Sequence, residues 1–144
     1  MAIRTADAEW KGNLRQGDGH MKFGGGAFDG RYSFSSRFEE GTGTNPEELI
    51  AAAHAGCFSM ALSADLEKAG FKPETINTTA KVRLEPVNGA ATINRIELVT
   101  TAKVGGGIDN AKFQEIVQGT KANCPVSRAL KAVSEVTVSA TLKS

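Results

Sequence analysis

Hydrophobic and polar residues alternate through the first third of the chain, a pattern typical of strands that bury one face. The alternation predicts a hairpin formed by residues 6–12 and 17–23, followed by a third strand over residues 31–38. The glycine run at 24–26 interrupts the alternation and lacks the glycine spacing, the lysine and the helix start of a phosphate-binding loop. We therefore interpret this run as a connector, and the role of residues 24–30 stays open.

The next stretch carries the start and stop signals of one long helix. Asn45 is a suitable N-cap, Pro46 fits the first helical position, and Glu48 lies at capping-box spacing from the cap. Gly70 predicts the end of this helix. Residues 49–64 carry almost no charge, so we expect the helix to be buried on nearly every side.

Two further strands are predicted at residues 76–84 and 92–104. The dipeptide Asn88-Gly89 between them favours a tight hairpin turn. Both strands are expected to lie in an antiparallel sheet.

The last third predicts a second helix, a short helical piece and a closing strand. Asp109 is a suitable N-cap for a helix that ends near Ala122, and Pro125 opens the short piece over residues 126–132. Apolar residues alternate again over residues 136–142. Strands followed by helix, strands, helix and strand indicate an α+β fold.

Composition limits the class of protein and its partners. With 144 residues, 40% hydrophobic and 23% charged, the chain is expected to form one ordinary domain over residues 1–144. A net charge of +1, with scattered basic residues, argues against a nucleic-acid partner. No run approaches the roughly 18 apolar residues of a membrane span, and residues 1–7 contain no signal peptide, so a cytoplasmic location is expected.

Cys57 is the most informative candidate, because it lies in a run of small apolar residues on the long helix. Burial there raises the pKa of a thiol, so a reactive thiolate needs a cation nearby. Arg37 is the candidate cation, held by Glu47 or, as a second choice, by Glu48. Cys124 lies at a predicted helix start, where partial positive charge favours a thiolate. Two thiols and an ion pair are the groups that peroxide reduction requires.

The spacing along the helix adds a prediction about assembly. Glu47 and Cys57 are ten residues apart, about 15 Å along one helix axis, so the glutamate cannot serve the thiol of its own helix. A second copy lying antiparallel, centred near Ala52, brings each Glu47 level with Cys57 of the other chain. We therefore expect a homodimer with two sites at the interface.

Each of these residues also has a plain structural interpretation. Cys57 and Cys124 can be core residues, and Arg37 can be a surface residue of a strand while the glutamates only cap their helix. His54 lies one turn before Cys57, so it is either a second-choice base for the thiol or a core histidine bonded to backbone.

Two rival functions use the same residues. Two histidines and two cysteines could together bind a structural zinc ion, although they include no Cys-x-x-Cys or His-x-x-x-His pair: His20, His54, Cys57 and Cys124. Alternatively, an apolar groove binds a small molecule or lipid and the thiol takes no part. Four apolar residues are either core or the lining of a substrate pocket: Phe38, Phe58, Met60 and Phe113.

Three motifs resemble the OsmC/Ohr family of hydroperoxide reductases, and the OsmC branch more than the Ohr branch. They are NPEELI at 45–50, AAHAGCFSMAL at 52–62 and CPVS at 124–127. The similarity extends over nearly the whole chain, including residues 10–12 and 141–144. It implies an intertwined α+β homodimer, with antiparallel sheets around long central helices.

The resemblance also implies roles for the candidate residues. Cys57 is expected to attack the peroxide, Cys124 to resolve the resulting sulfenic acid as a disulfide, and Arg37 with Glu47 to stabilise the thiolate. The implied substrate is an organic hydroperoxide, with hydrogen peroxide a weaker one, in defence against oxidative or osmotic stress. A lipoyl-type dithiol or a thioredoxin-like protein is the expected reductant, and no metal or other cofactor is required.

Overall fold

The computed structural model describes residues 1–144, which form two compact units, Met1–Leu49 and Ile50–Ser144. The first unit contains a three-stranded antiparallel sheet in the order β1-β2-β3. Its strands are β1 (Ala6–Lys11), β2 (Asp18–Phe23) and β3 (Phe28–Ser33). The predicted hairpin is confirmed, and the glycine run between β2 and β3 forms a single 3-10 turn.

The prediction of a strand over residues 31–38 is wrong beyond Ser33. A short helix, α1 (Phe34–Phe38), follows β3 directly. The Ser33 hydroxyl accepts a hydrogen bond from the Ser36 backbone N–H (3.1 Å), and the Ser36 hydroxyl accepts one from the Ser33 N–H (2.8 Å). This reciprocal capping box starts a helix where the apolar alternation alone indicates an extended chain.

The long helix α2 (Pro46–Lys68) is confirmed. The Asn45 side chain accepts a hydrogen bond from the Glu48 backbone N–H (2.8 Å), as an N-cap does. Glu48 does not complete the predicted capping box, because its carboxylate accepts from the Thr44 hydroxyl instead (3.0 Å). At the other end, Gly70 has a φ of 92°. Glycine often adopts this left-handed conformation directly after the last residue of a helix.

The second unit combines a three-stranded sheet in the order β4-β5-β6 with two helices beyond α2. Its elements are β4 (Lys72–Val87), β5 (Ala90–Gly105), α3 (Asn110–Asn123), α4 (Pro125–Ala129) and β6 (Glu135–Lys143). The predicted hairpin turn is confirmed, since Asn88 and Gly89 both have positive φ angles, 50° and 83°. The Asp109 cap is confirmed as well, because its carboxylate accepts from the Lys112 N–H.

The α+β class is therefore confirmed, with one difference in the sheet of the second unit. β4 and β5 are antiparallel, whereas β5 and β6 are parallel. A parallel pair requires a crossover of a dozen or more residues, and α3 with α4 provides it. Alternation along β6 marks a strand but carries no information about its direction.

One side of α2 forms the core of the second unit. Residues at four-residue spacing supply this buried side: His54, Phe58, Leu62 and Leu66. Of these, Phe58, Leu62 and Leu66 pack with residues of β5, α3 and the α3–α4 junction, among them Leu98, Phe113 and Cys124. The four-residue spacing places these side chains in one row of the helix surface.

The opposite side of α2 is exposed within the protomer. It consists mainly of small residues at the same spacing: Ala52, Gly56, Met60 and Ala64. An 18-residue window of this helix has a mean hydropathy of 1.4, and only 22% of it is buried. By length and apolarity α2 thus passes the criterion for a membrane-crossing helix, contrary to the sequence expectation. Core helices of water-soluble proteins pass the same test, so this one helix is weak support for a membrane location.

Replacing Leu62 by alanine is expected to lower the free energy of unfolding by about 2–5 kcal/mol, because it leaves a cavity in a fully buried position. Leu14→Ala is the matched control, since it removes the same atoms from an exposed side chain and should cost less than about 0.5 kcal/mol. Urea unfolding of both variants measures the difference. Equal losses would contradict the placement of α2 in the core.

Candidate active site

An ion pair between Arg37 and Glu47 lies in the first unit. The predicted pairing is confirmed: Arg37 Nη2 donates to Glu47 Oε1 at 2.7 Å, and Arg37 Nε lies 3.2 Å from Oε2. α1 presents the arginine and the first turn of α2 presents the glutamate. Glu47 is buried, whereas 35% of the Arg37 side chain is exposed. The carboxylate therefore fixes the guanidinium while leaving part of it free to meet another anion.

Aromatic residues surround the Arg37 side chain. A cavity of about 230 Å³ in the first unit is lined by residues that include Trp10, Tyr32, Phe34, Arg37 and Phe38. The Phe34 and Phe38 rings are 4.9 Å apart, and the guanidinium carbon lies 5.2 Å from the Phe38 ring centre. The guanidinium therefore lies against an aromatic ring as well as against the Glu47 carboxylate.

The two cysteines come together in the second unit, although 67 residues separate them in sequence. Their sulfur atoms are 3.2 Å apart and both thiols are free. Cys57 lies on α2 and is half-buried, while Cys124 lies at the junction of α3 and α4 and is only 1% exposed. A disulfide requires the sulfurs to approach by only about 1 Å.

The two thiols differ in acidity. Burial raises the pKa of Cys57, and Cys124 raises it further, while the Val126 backbone N–H offsets part of the shift. Burial also acts to raise the pKa of Cys124, but hydrogen bonds from Ser127, Cys57 and Val126 together outweigh it and lower that pKa. Geometry alone makes the Cys124 thiol the donor in the hydrogen bond between the two sulfurs. Because Cys124 is the thiol whose pKa is lowered, we assign the donor role to Cys57 instead.

His54 is connected to this pair through Ser127. It is 0% exposed, and its Nε2 lies 2.7 Å from the hydroxyl oxygen of Ser127, a residue that lowers the pKa of Cys124. The expectation of a core histidine bonded to backbone is wrong in its partner, since this partner is a side chain. Burial lowers the pKa of His54 and favours the neutral ring.

Other predicted residues lie elsewhere. Glu48 is exposed and bonded to Thr44, so it does not hold Arg37. Phe58 and Phe113 are fully buried core residues and do not line an open pocket, and Met60 is 77% exposed. Of the four predicted pocket residues, Phe38 borders the aromatic-lined cavity.

The zinc alternative lacks a ligand cluster. No group of three or more His, Cys, Asp or Glu side chains is arranged to hold a metal ion. His20 Nδ1 lies 3.0 Å from the Asp29 carboxylate, in an exposed pair on the first sheet.

Sequence reasoning missed two residues that lower the pKa of Cys124: Ser127, through its backbone N–H and hydroxyl, and Val126, through its backbone N–H. Both lie in the first turn of α4, directly after Pro125. The position of a proline after Cys124 was the available signal, because the free N–H groups of a helix start converge on the residue before it.

Comparison with known proteins shows which family and which relatives the chain resembles. A family model described as OsmC-like protein matches residues 39–139. The chain is 46% identical to Peroxiredoxin OsmC of Escherichia coli over 142 residues, covering 98% of this chain and 97% of that protein. It is 30% identical to organic hydroperoxide resistance protein OhrB of Bacillus subtilis, covering 94% and 96%.

Solved structures show the same fold. The crystal structure of that OhrB has a TM-score of 0.67 at 28% identity and covers 99% of this chain and 100% of its own. The crystal structure of an OsmC-like protein from Mycoplasma pneumoniae has a TM-score of 0.76 at 13% identity, covering 99% of both chains.

Proposed function

This chain belongs to the OsmC-like protein family, and from that premise we propose that it is a thiol peroxidase that reduces organic hydroperoxides to alcohols. The family and the peroxidase class predicted from the sequence are confirmed by these similarities. The roles of individual residues and the reaction steps are part of this proposal. The observation that carries it is the 3.2 Å approach of the two free thiols, Cys57 and Cys124.

Cys57 is the attacking residue in this proposal. Its thiolate attacks the distal oxygen of the hydroperoxide, the O–O bond breaks, and the alkoxide leaves and takes a proton to become the alcohol. Cys57 is left as a sulfenic acid. The Cys124 thiolate then attacks the Cys57 sulfur, a disulfide forms and hydroxide leaves, to be protonated to water. A dithiol, of lipoyl type or from a thioredoxin-like protein, returns both residues to thiols.

A second copy of the chain supplies the cation in this proposal. Burial alone keeps Cys57 protonated, so its reactivity needs a positive charge. The exposed small-residue side of α2 allows two copies of the helix to pack closely and antiparallel. Such a homodimer places the Arg37–Glu47 pair of one copy beside Cys57 of the other, at the level that the helix spacing defines.

The first unit suggests why an organic peroxide is preferred over hydrogen peroxide. Arg37 and Phe38 border the aromatic-lined cavity of about 230 Å³, which is large enough for an alkyl or aryl group but offers little to hydrogen peroxide. We further propose that both units act as one OsmC-like domain, residues 1–144, and that the protein works in the cytoplasm.

Titration of the thiols tests the proposed function against the small-molecule-binding alternative. One equivalent of cumene hydroperoxide is expected to consume both thiols of each chain, with cumyl alcohol formed in equal amount, because the sulfenic acid condenses with Cys124. Ellman's reagent and chromatography measure thiols and alcohol. A binder takes up the peroxide with no loss of thiols, and that result would refute the proposal.

A further inference from the structure

We propose that the hydrogen bond between His54 and Ser127 holds α4 against α2 and so keeps the second thiol within reach of Cys57. His54 and Ser127 are then positioning residues for disulfide formation. This inference rests on the proposed function and adds a determinant of its second step, in which Cys124 resolves the sulfenic acid. Three features carry it: the place of the hydrogen bond beside the two sulfurs, the burial of His54, and the weak anchoring of α4.

The hydrogen bond lies one helical turn from the pair of sulfurs. His54 precedes Cys57 by three residues on α2, and Ser127 follows Cys124, the residue that begins α4, by three residues. Residues three apart on a helix are neighbours on one face. The 2.7 Å contact between His54 Nε2 and Ser127 Oγ therefore runs beside the 3.2 Å contact between the sulfurs. Each of these two adjacent contacts restricts the rotation of α4 about the other.

His54 is the fixed end of this hydrogen bond. It belongs to the buried row of α2 and is 0% exposed. Its Nδ1 is buried and has no hydrogen-bond partner, so Ser127 is the one residue that the ring bonds. Without Ser127 both ring nitrogens would be buried and unpaired, which costs more than losing an exposed hydrogen bond. The ring thus favours the arrangement in which α4 lies against α2.

α4 has few other attachments. It is five residues long and none of them is fully buried, although Val126 packs partly against the core. The bond to His54 is the one side-chain hydrogen bond that α4 makes. The chain also bends at Cys124, which has a φ of −53° and a ψ of 126°, because a proline disfavours the helical conformation in the residue before it. α4 is therefore not a rigid extension of α3, and the placement of Cys124 depends on how α4 is held.

The consequence concerns the step in which the sulfurs join. The Cys124 thiolate attacks the sulfur of the Cys57 sulfenic acid, the S–S bond forms and hydroxide leaves. The rate of such an intramolecular step depends on the effective concentration of one group at the other. When α4 turns away, a second peroxide molecule competes for the sulfenic acid and oxidises it to the sulfinic acid. The hydrogen bond between His54 and Ser127 therefore favours the disulfide over irreversible oxidation.

The first test needs no peroxide. Protein is equilibrated with glutathione: its two thiols pass two electrons to oxidised glutathione, and two glutathione thiols are released. The equilibrium constant reports the effective concentration of one cysteine at the other. Ser127→Ala is expected to lower this constant about three- to tenfold, the effect of one lost hydrogen bond. Ser127→Thr keeps the hydroxyl and should restore most of it. Ser59→Ala is the matched control, because it removes a comparable bond, 2.8 Å to Thr78, and should leave the constant unchanged.

The direction of the change separates positioning from an effect on thiol acidity. A residue that only stabilises the reduced thiols makes the disulfide easier to reduce, so its loss raises the equilibrium constant. A rise in Ser127→Ala, or no change, would overturn the inference. So would a Ser127→Thr protein that behaves like the alanine variant.

His54→Leu tests whether the hydrogen bond itself is responsible, because leucine removes both ring nitrogens and keeps an apolar side chain in the core. It should lower the equilibrium constant about as much as Ser127→Ala. The double variant should lower it no further, since both substitutions remove the same bond. Losses that add in the double variant would contradict a shared role.

A second measurement follows the sulfenic acid directly. Protein is treated with one equivalent of cumene hydroperoxide in the presence of dimedone, and mass spectrometry measures the share of Cys57 that carries the adduct. This share is expected to be several-fold larger in Ser127→Ala than in the wild type and in Ser59→Ala. Equal shares in all three proteins would overturn the inference. If the wild type forms neither adduct nor disulfide, the proposed function fails, while the glutathione equilibrium still tests the positioning of α4.

Discussion

The variant Cys57→Ser is expected to lose hydroperoxide reduction entirely, a fall of at least about a thousandfold in kcat/KM, the scale on which the loss of an enzyme nucleophile acts. A serine hydroxyl is not ionised near neutral pH and is a far weaker nucleophile than a thiolate. The substitution removes little volume at a half-buried position, so the fold should be retained. Steady-state consumption of cumene hydroperoxide, with dithiothreitol as the reductant, measures the effect.

Cys124→Ser is the matched comparison for this variant. It leaves the attacking sulfur in place, so one rapid oxidation per chain is expected to remain. The sulfenic acid then has no resolving thiol, and excess peroxide should convert Cys57 to the sulfinic acid, which mass spectrometry detects. Wild-type turnover by the Cys57→Ser protein, or loss of the first oxidation in Cys124→Ser, would reverse the roles that we propose for the two cysteines.

Arg37→Gln is expected to reduce kcat/KM at neutral pH about 10- to 1000-fold, because an opposite charge within about 4–6 Å lowers a pKa by about 1–3. Without the cation the pKa of Cys57 stays raised by burial, so less thiolate is present below that pKa. The loss should diminish as the pH rises through the pKa of Cys57, where the thiolate forms unaided. A pH profile of kcat/KM distinguishes this effect from general damage, which no rise in pH repairs.

Arg31→Gln is the matched control for the loss of an arginine. Arg31 lies on β3, is largely exposed and sits 3.8 Å from Asp18, so its replacement should change kcat/KM less than twofold. If the two variants behave alike, Arg37 has no special role.

Heterodimers decide whether the cation comes from the other chain. Chains carrying Arg37→Gln and Cys57→Ser are co-expressed with different affinity tags, and the mixed dimer is purified. One site then combines an intact Cys57 with an intact Arg37 from its partner, so about half of the wild-type activity is expected. No recovery of activity would contradict an interfacial site.

The secondary structure could be predicted from sequence wherever local chemistry decides it. The Asn45 cap, the Gly70 stop and the Asn88-Gly89 turn act over a few residues, and each is where the sequence indicates. The exception is α1, where alternation indicated a strand but the capping box at Ser33 forms a helix. Both signals are local, and the hydrogen-bonded cap prevails over a weak apolar pattern.

The sequence by itself pointed to the two cysteines, the Arg37–Glu47 pair and the family, because each depends on residue type and local motif. Only the tertiary structure decided that Cys124 lies against Cys57, since contacts across 67 residues depend on how α3 and α4 pack against α2. The unequal acidity of the two thiols was likewise decided by packing. It arises because Ser127 lowers the pKa of Cys124 and not that of Cys57, and only folding brings α4 to this position.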